Sequence, residues 1–209
     1  MSVSVVTLAQ MSVTVIPYDH DMTRWEPNAA GRLAQAALEL YSERGFEQTT
    51  VAEIAARAGL TERTFFRHFA DKREVLFAGA DRLQELVVTA VASAPGSAAP
   101  IDAAVAGVEA AGALLQERRE YSRQRQTVIA ANAELREREL IKLASLASAI
   151  AEALRGRGVA DPAASLAGEA AIAVFRIAFE RWTSKTKAPD LPRLIRDSLD
   201  ELRAVTAGK

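Results

Sequence analysis

The run Thr49-Thr50-Val51-Ala52-Glu53-Ile54-Ala55-Ala56-Arg57-Ala58-Gly59-Leu60-Thr61-Glu62-Arg63-Thr64-Phe65-Phe66-Arg67-His68-Phe69 leaves the chain few ways to fold. Thr50 and Glu53 stand at the spacing of a capping box, so a helix starts at Val51. Ile54 and Ala55 fall on its inward face, and Ala55 and Ala58 are small enough for a close crossing. Gly59 sits where the helix must stop on a left-handed residue, which glycine adopts without strain. Thr61 then caps a second helix. Phe65 and Phe69 are four apart, so they share a buried face, with Leu60 packing at the turn. Glu62, Arg63, Thr64, Arg67 and His68 remain on other faces, near the start of that second helix. Two short helices joined by a tight glycine turn form the unit that lays one helix in the major groove of DNA.

Composition narrows the remaining classes. The chain has 209 residues, room for a small domain and a larger one. Its 49% hydrophobic and 25% charged content is that of a soluble globular protein. There is no cysteine, which excludes disulfides and thiolate chemistry. His20 and His68 are the only histidines and lie far apart, so neither a metal site nor a cofactor is expected. The formal net charge of −1 is not that of a wholly basic nucleic-acid binder. Charge is instead local. Residues 62–73 carry Arg63, Arg67, Lys72 and Arg73 against Glu62 and Asp71, with His68 in addition. No P-loop, G-x-S-x-G or H-E-x-x-H pattern occurs, and no enzyme is expected.

Residues 1–18 have no charged side chain, and an arm over 1–24 is expected to lack order. Its apolar residues are interrupted and no basic segment precedes them, so it reads neither as a membrane span nor as a secretory signal. Met11 and Met22 are alternative starts, which leaves open whether residues 1–21 belong to the native protein. Pro27-Asn28 caps a first helix, Ala29 to Arg44, whose apolar stripe is Leu33, Ala36, Ala37, Leu40 and Tyr41. Gly45 ends it, and Phe46 packs under the next two helices. Asp71 and Glu74 start another helix, which runs through Val75, Leu76, Leu83, Leu86 and Val87 towards Ala92. Five more helical patterns follow, over 101–116, 119–131, 135–154, 161–183 and 191–205. The expected fold is all-α, about nine helices, in two lobes sharing the fourth helix. Glu134, Arg136, Glu137, Arg138 and Glu139 read as a solvated face. The stripe Phe175, Phe179 and Trp182 reads as core or dimer surface, with the lining of a ligand pocket as the lesser alternative.

Several motifs occur in order and at matching spacings: Leu40-Tyr41-Ser42-Glu43-Arg44-Gly45-Phe46, Thr49-Thr50, Ile54-Ala55, Ala58-Gly59, Phe69, and Asp71-Lys72-Arg73-Glu74-Val75-Leu76. From about Ala29 to Leu76 this resembles the DNA-binding domain of the tetracycline-repressor (TetR) family of bacterial transcription regulators. The resemblance implies a three-helix helix-turn-helix domain over 25–75 and a helical ligand-binding and dimerisation domain over 76–209. It implies a cytoplasmic homodimer that represses transcription on a palindromic double-stranded DNA operator and is released by a small molecule held among the helices between residues 100 and 180. The Ala, Leu, Ile and aromatic content there suggests an apolar or amphipathic effector, with its contact residues unassigned. No membrane partner is expected. The rival is a helical small-molecule-binding or scaffold protein that carries the motif but does not bind DNA.

Site residues follow. Arg63 is the candidate base reader, since a guanidinium pairs with two acceptors on guanine. Glu62 suits a cytosine amino group, and Thr64 a thymine methyl or a phosphate. Thr49 and Thr50, at a helix start, suit phosphate. Arg67 lies on the same exposed helix, and by resemblance His68 and Lys72 grip the DNA backbone. Phe66 departs from the family pattern, where many members have a tyrosine whose hydroxyl meets phosphate; phenylalanine packs on sugar or protein instead. The last two long helices of the family form a four-helix bundle between protomers. Phe175, Phe179, Trp182, Leu191, Leu194, Ile195, Leu199 and Leu202 are therefore expected at the dimer interface.

Overall fold

The structure is a computed structural model that describes residues 29–185 and 189–208. The expected N-terminal arm and the Pro27-Asn28 cap lie outside the described residues. The described residues form nine α-helices and no strand: α1 (Ala29–Arg44), α2 (Val51–Arg57), α3 (Glu62–His68), α4 (Ala80–Ser93), α5 (Pro100–Gln116), α6 (Arg119–Ala131), α7 (Ala133–Gly156), α8 (Ala163–Ser184) and α9 (Leu191–Thr206). A short 3-10 turn, Glu74–Phe77, precedes α4.

The first lobe, the head, is built as its local signals dictate. Thr50 accepts from the Glu53 N–H, and the Glu53 carboxylate accepts from the Thr50 N–H at 2.9 Å. That backbone donor and the Thr50 hydroxyl hold the Glu53 carboxyl below the usual carboxylate range. Gly59 has φ +66°, and Leu60 N–H returns to Ala55 O at 2.8 Å, which closes the turn between α2 and α3. Phe65 is 0% exposed and packs with Leu33, Leu40, Phe46, Ile54 and Val75.

Two expectations about the lobes need correcting. The fourth helix does not run from Asp71. Asp71 does cap, accepting from the Arg73 and Glu74 N–H groups, but it caps only the 3-10 turn. Gly79, at φ +84°, then breaks the path, and α4 starts afresh at Ala80. That helix packs on α5 and α7, so it belongs to the second lobe. The lobes are joined elsewhere. Val128 and Ile129 of α6 and Leu135 of α7 are buried in the core of the head.

Charge reinforces the same junction. Arg125 Nε donates to Leu76 O at 2.7 Å, its guanidinium lies 4.9 Å from the Phe77 ring centroid, and it pairs with Glu139. Glu74 takes both Arg138 and, at 3.2 Å, Lys142. The face expected to be merely solvated therefore supplies Arg138 and Glu139 to the contact between lobes.

The second lobe, the body, packs α4, α5, α7, α8 and α9 around Val87, Val108, Ile150, Leu154, Trp182 and Ile195. Pro162, which follows a cis peptide bond from Asp161, occupies the N-cap position of α8. Small residues set the spacing between α7 and α8. A Cβ added at Gly168 would stand 2.6 Å from the backbone oxygen of Ala147. Gly168→Ala forces these helices apart and is expected to cost about 1–3 kcal/mol, read as a lower urea midpoint. An unchanged midpoint would mean that the helices do not approach so closely.

Candidate nucleic-acid interface

The head presents α3 at its surface. Thr61 caps that helix by accepting from the Thr64 N–H at 3.2 Å, and the Thr64 hydroxyl lies 3.1 Å from that of Thr61. Phe65 and, one turn on, Phe69 anchor the inner face. Glu62, Arg63, Phe66, Arg67 and His68 then point to solvent, with Thr64 half-buried among them. Phe66 is 56% exposed and meets Phe65 edge-on, with ring centroids 5.5 Å apart.

The charges of the head are unevenly satisfied. Arg44 pairs with Glu53 at 2.7 Å, Arg57 with Glu43 at 2.9 Å, and Arg73 with Asp71 at 2.5 Å. The Arg73 guanidinium, with the two backbone donors, holds the Asp71 carboxyl below its usual range. Among the described residues no hydrogen bond or ion pair engages the side chain of Arg63 or Arg67. An exposed guanidinium left unpaired in a protein rich in carboxylates keeps its full donor set for an outside acceptor.

Two of the residues expected at a DNA backbone are used by the protein itself. Thr49 is corrected: it is 1% exposed and its hydroxyl donates to Gly45 O, so it offers nothing to a phosphate. The Lys72 ammonium faces three carbonyls, Phe46 O at 3.0 Å, Thr49 O at 3.4 Å and Glu47 O at 3.5 Å, and lies over the Phe46 ring. It stitches the α1–α2 turn to the end of the head. Tyr41 donates to Lys72 O at 2.6 Å, and burial, with Asp71 nearby, pushes its phenol well above the usual range. Thr50 stays exposed, with its hydroxyl turned to Glu53.

Five of the eight expected dimer residues need a larger correction. Trp182, Leu191, Leu194, Ile195 and Leu199 are buried within one chain, and Phe175, Phe179 and Leu202 pack half-buried against the same core. A side chain with no surface in the protomer has none to bury against a partner. The stripe that does face outward on α8 is Leu166, Ala170, Ala173 and Ile177, spaced four, three, four. Leu166 is 66% and Ile177 56% exposed. That spacing is a second helical seam on α8, legible in the sequence at the same three- and four-residue intervals as the aromatic stripe.

Comparison with known proteins agrees with this architecture. The sequence profile of the tetR family of bacterial regulatory proteins matches residues 33–78, and that of the MftR C-terminal domain matches residues 98–207. Head and body each match, and the chain belongs to the TetR family of transcriptional regulators. It is 35% identical over 96 residues to the HTH-type transcriptional regulator TcmR of Streptomyces glaucescens, a stretch covering 41% of this chain. It is 30% identical over 60 residues, 29% of this chain, to MftR of Mycobacterium tuberculosis, which is named as a mycofactocin biosynthesis regulator. The aligned parts span 42% and 30% of those two relatives. Among solved structures, the triclosan complex of SmeT superposes with a TM-score of 0.59 at 21% identity, over 85% of this chain and 90% of that one. FadR of Thermus thermophilus, bound to lauroyl-CoA, gives 0.50 at 24% identity, over 82% and 91%. At these identities the likeness establishes the fold.

Proposed function

We propose that this chain is a ligand-responsive repressor that binds a palindromic DNA operator as a homodimer, with α3 of each protomer in the major groove. The head over 25–75 reads DNA, and the body over 76–209 dimerises and takes a small molecule. The observation that carries the reading is the outer face of α3, where Arg63 and Arg67 stand unpaired while Arg44, Arg57 and Arg73 are held by carboxylates. Arg63 reads guanine, Glu62 and Thr64 flank it, and Arg67, His68 and Thr50 meet phosphates. Phe66, with no hydroxyl, presents an apolar edge suited to a thymine methyl or a deoxyribose. The reading is of a cytoplasmic regulator rather than an enzyme; among the described residues no helix is long and apolar enough to cross a membrane. Selection of bound duplexes from a random pool tests the reading: a recovered inverted repeat supports it, and a pool with no enrichment refutes it.

A dimer suits this task because one seven-residue helix reads few base pairs, while a two-fold pair reads two half-sites. The seam Leu166, Ala170, Ala173 and Ile177 on α8 is the surface for the second copy. Its middle is alanine, which lets two helices approach closely, and its ends are large and apolar. Ile177→Glu places a carboxylate from each protomer in that seam and is expected to give monomers in sedimentation velocity. A variant that stays dimeric would move the interface elsewhere.

SmeT was solved with triclosan and the Thermus FadR with lauroyl-CoA, the first a largely apolar molecule and the second an amphipathic one. They support an apolar or amphipathic effector for this body. Such a ligand acts only if it prefers one arrangement of the lobes. The Arg125–Leu76 and Glu74–Arg138 contacts are where a shift in α6 or α7 would reach the head.

A further inference from the structure

Where α6 begins and α8 ends, the body holds two buried donors without acceptors among the described residues. Trp182 is 0% exposed, and its indole Nε1 has no hydrogen-bond partner. The Arg119 guanidinium lies 5.6 Å from that ring's centroid, and its buried Nε is also unpaired. The rest of the guanidinium is fixed: Nη2 donates to Trp182 O at 2.9 Å and Lys185 O at 2.6 Å, the carbonyls that end α8. Among the described residues no carboxylate pairs with Arg119, since the adjacent Glu120 turns to Arg123 and Gln124. Buried donors in a folded protein normally find acceptors, and two unmet ones on neighbouring side chains, one of them cationic, call for an anion. Beside them runs an apolar wall. Phe179 stacks on Phe175 with ring centroids 5.6 Å apart, and meets Trp182 at 5.6 Å.

We infer that Arg119 and Trp182 form the head-group end of the effector site and take the oxyanion of an amphipathic molecule whose apolar body lies along Phe179 and Phe175. This rests on the reading of the body as a small-molecule sensor and adds the ligand's chemistry: an anionic head on a hydrocarbon or aromatic frame. The C-terminal carbonyls of α8 orient the guanidinium, and the ligand supplies the acceptor that the described residues do not.

Calorimetric titration of the full chain with octanoate, octan-1-ol and octylamine tests this. The carboxylate is expected to bind at least about tenfold tighter than the alcohol, and the amine more weakly still. Arg119→Lys keeps the charge for the α8 carbonyls but loses Nε; Trp182→Phe keeps an aromatic ring but loses the donor. Each is expected to weaken octanoate about tenfold and leave octan-1-ol unchanged. Equal affinity for acid and alcohol, no binding of octanoate, or folded variants that bind it as the wild type does would each overturn the inference. The comparison of acid with alcohol needs no variant, so an unfolded variant leaves the test intact. Operator release by a cationic or neutral molecule would sink this inference and spare the repressor reading; failure to bind any operator would do the reverse.

Discussion

Arg63→Ala is expected to weaken specific operator binding by roughly 2–6 kcal/mol, because a two-fold complex loses one guanidinium from each half-site and each base contact is worth about 1–3 kcal/mol. The loss falls on one base pair per half-site. Preference at that pair relaxes, while affinity for unrelated duplex changes little. Arg63→Lys keeps the charge and loses the two-pronged fit, so it retains non-specific binding and still loses discrimination. Fluorescence anisotropy against operators substituted one pair at a time separates the two. Wild-type affinity and base preference in Arg63→Ala would remove Arg63 from the readout. The residue suits this test because no side-chain hydrogen bond or ion pair holds it among the described residues, so the substitution breaks none of these.

Phe65→Ala is expected to cost about 3–5 kcal/mol, since it empties the centre of a small core. Phe65 is fully buried and touches the rings of Phe66 and Phe69. It also joins α3 to α1, so its loss frees the reading helix as well as the core. Denaturant unfolding followed by circular dichroism reads the cost, and operator binding is lost with it. A variant with near-native stability would show that α3 is held by something other than its phenylalanines.

The head was legible because its signals are local. Thr50 with Glu53, Gly59, and Thr61 each act within four residues, and the structure has each of them making the predicted cap or turn. The body was legible only as a set of helices. The bounds of α5, α6, α7 and α9 follow from periodicity, which says nothing of which neighbour a face meets. On α9 the stripe Leu191, Leu194, Ile195 and Leu199 is equally good for a core or a dimer; contact with α5 and α8 decides for the core. The broken path at Gly79 was hidden by good helix formers on both sides. The joins at Arg125 and Arg138 link residues 49 and 64 positions apart, a separation no local pattern encodes. Thr49 has a different reason: its hydroxyl turns back to Gly45 O, four residues upstream, a local side-chain-to-backbone bond that competes with the phosphate its helix-start position suggests.

The most direct test of the account is to titrate the protein onto a labelled duplex from its own upstream region and onto a scrambled one, at two salt concentrations, with the mass of each complex measured. Two protomers per specific duplex are expected, bound at least about a thousandfold tighter than to the scrambled sequence. Both affinities are expected to fall as salt rises, because bound phosphates release counterions. One protomer per duplex, or equal affinity for both sequences, would contradict it.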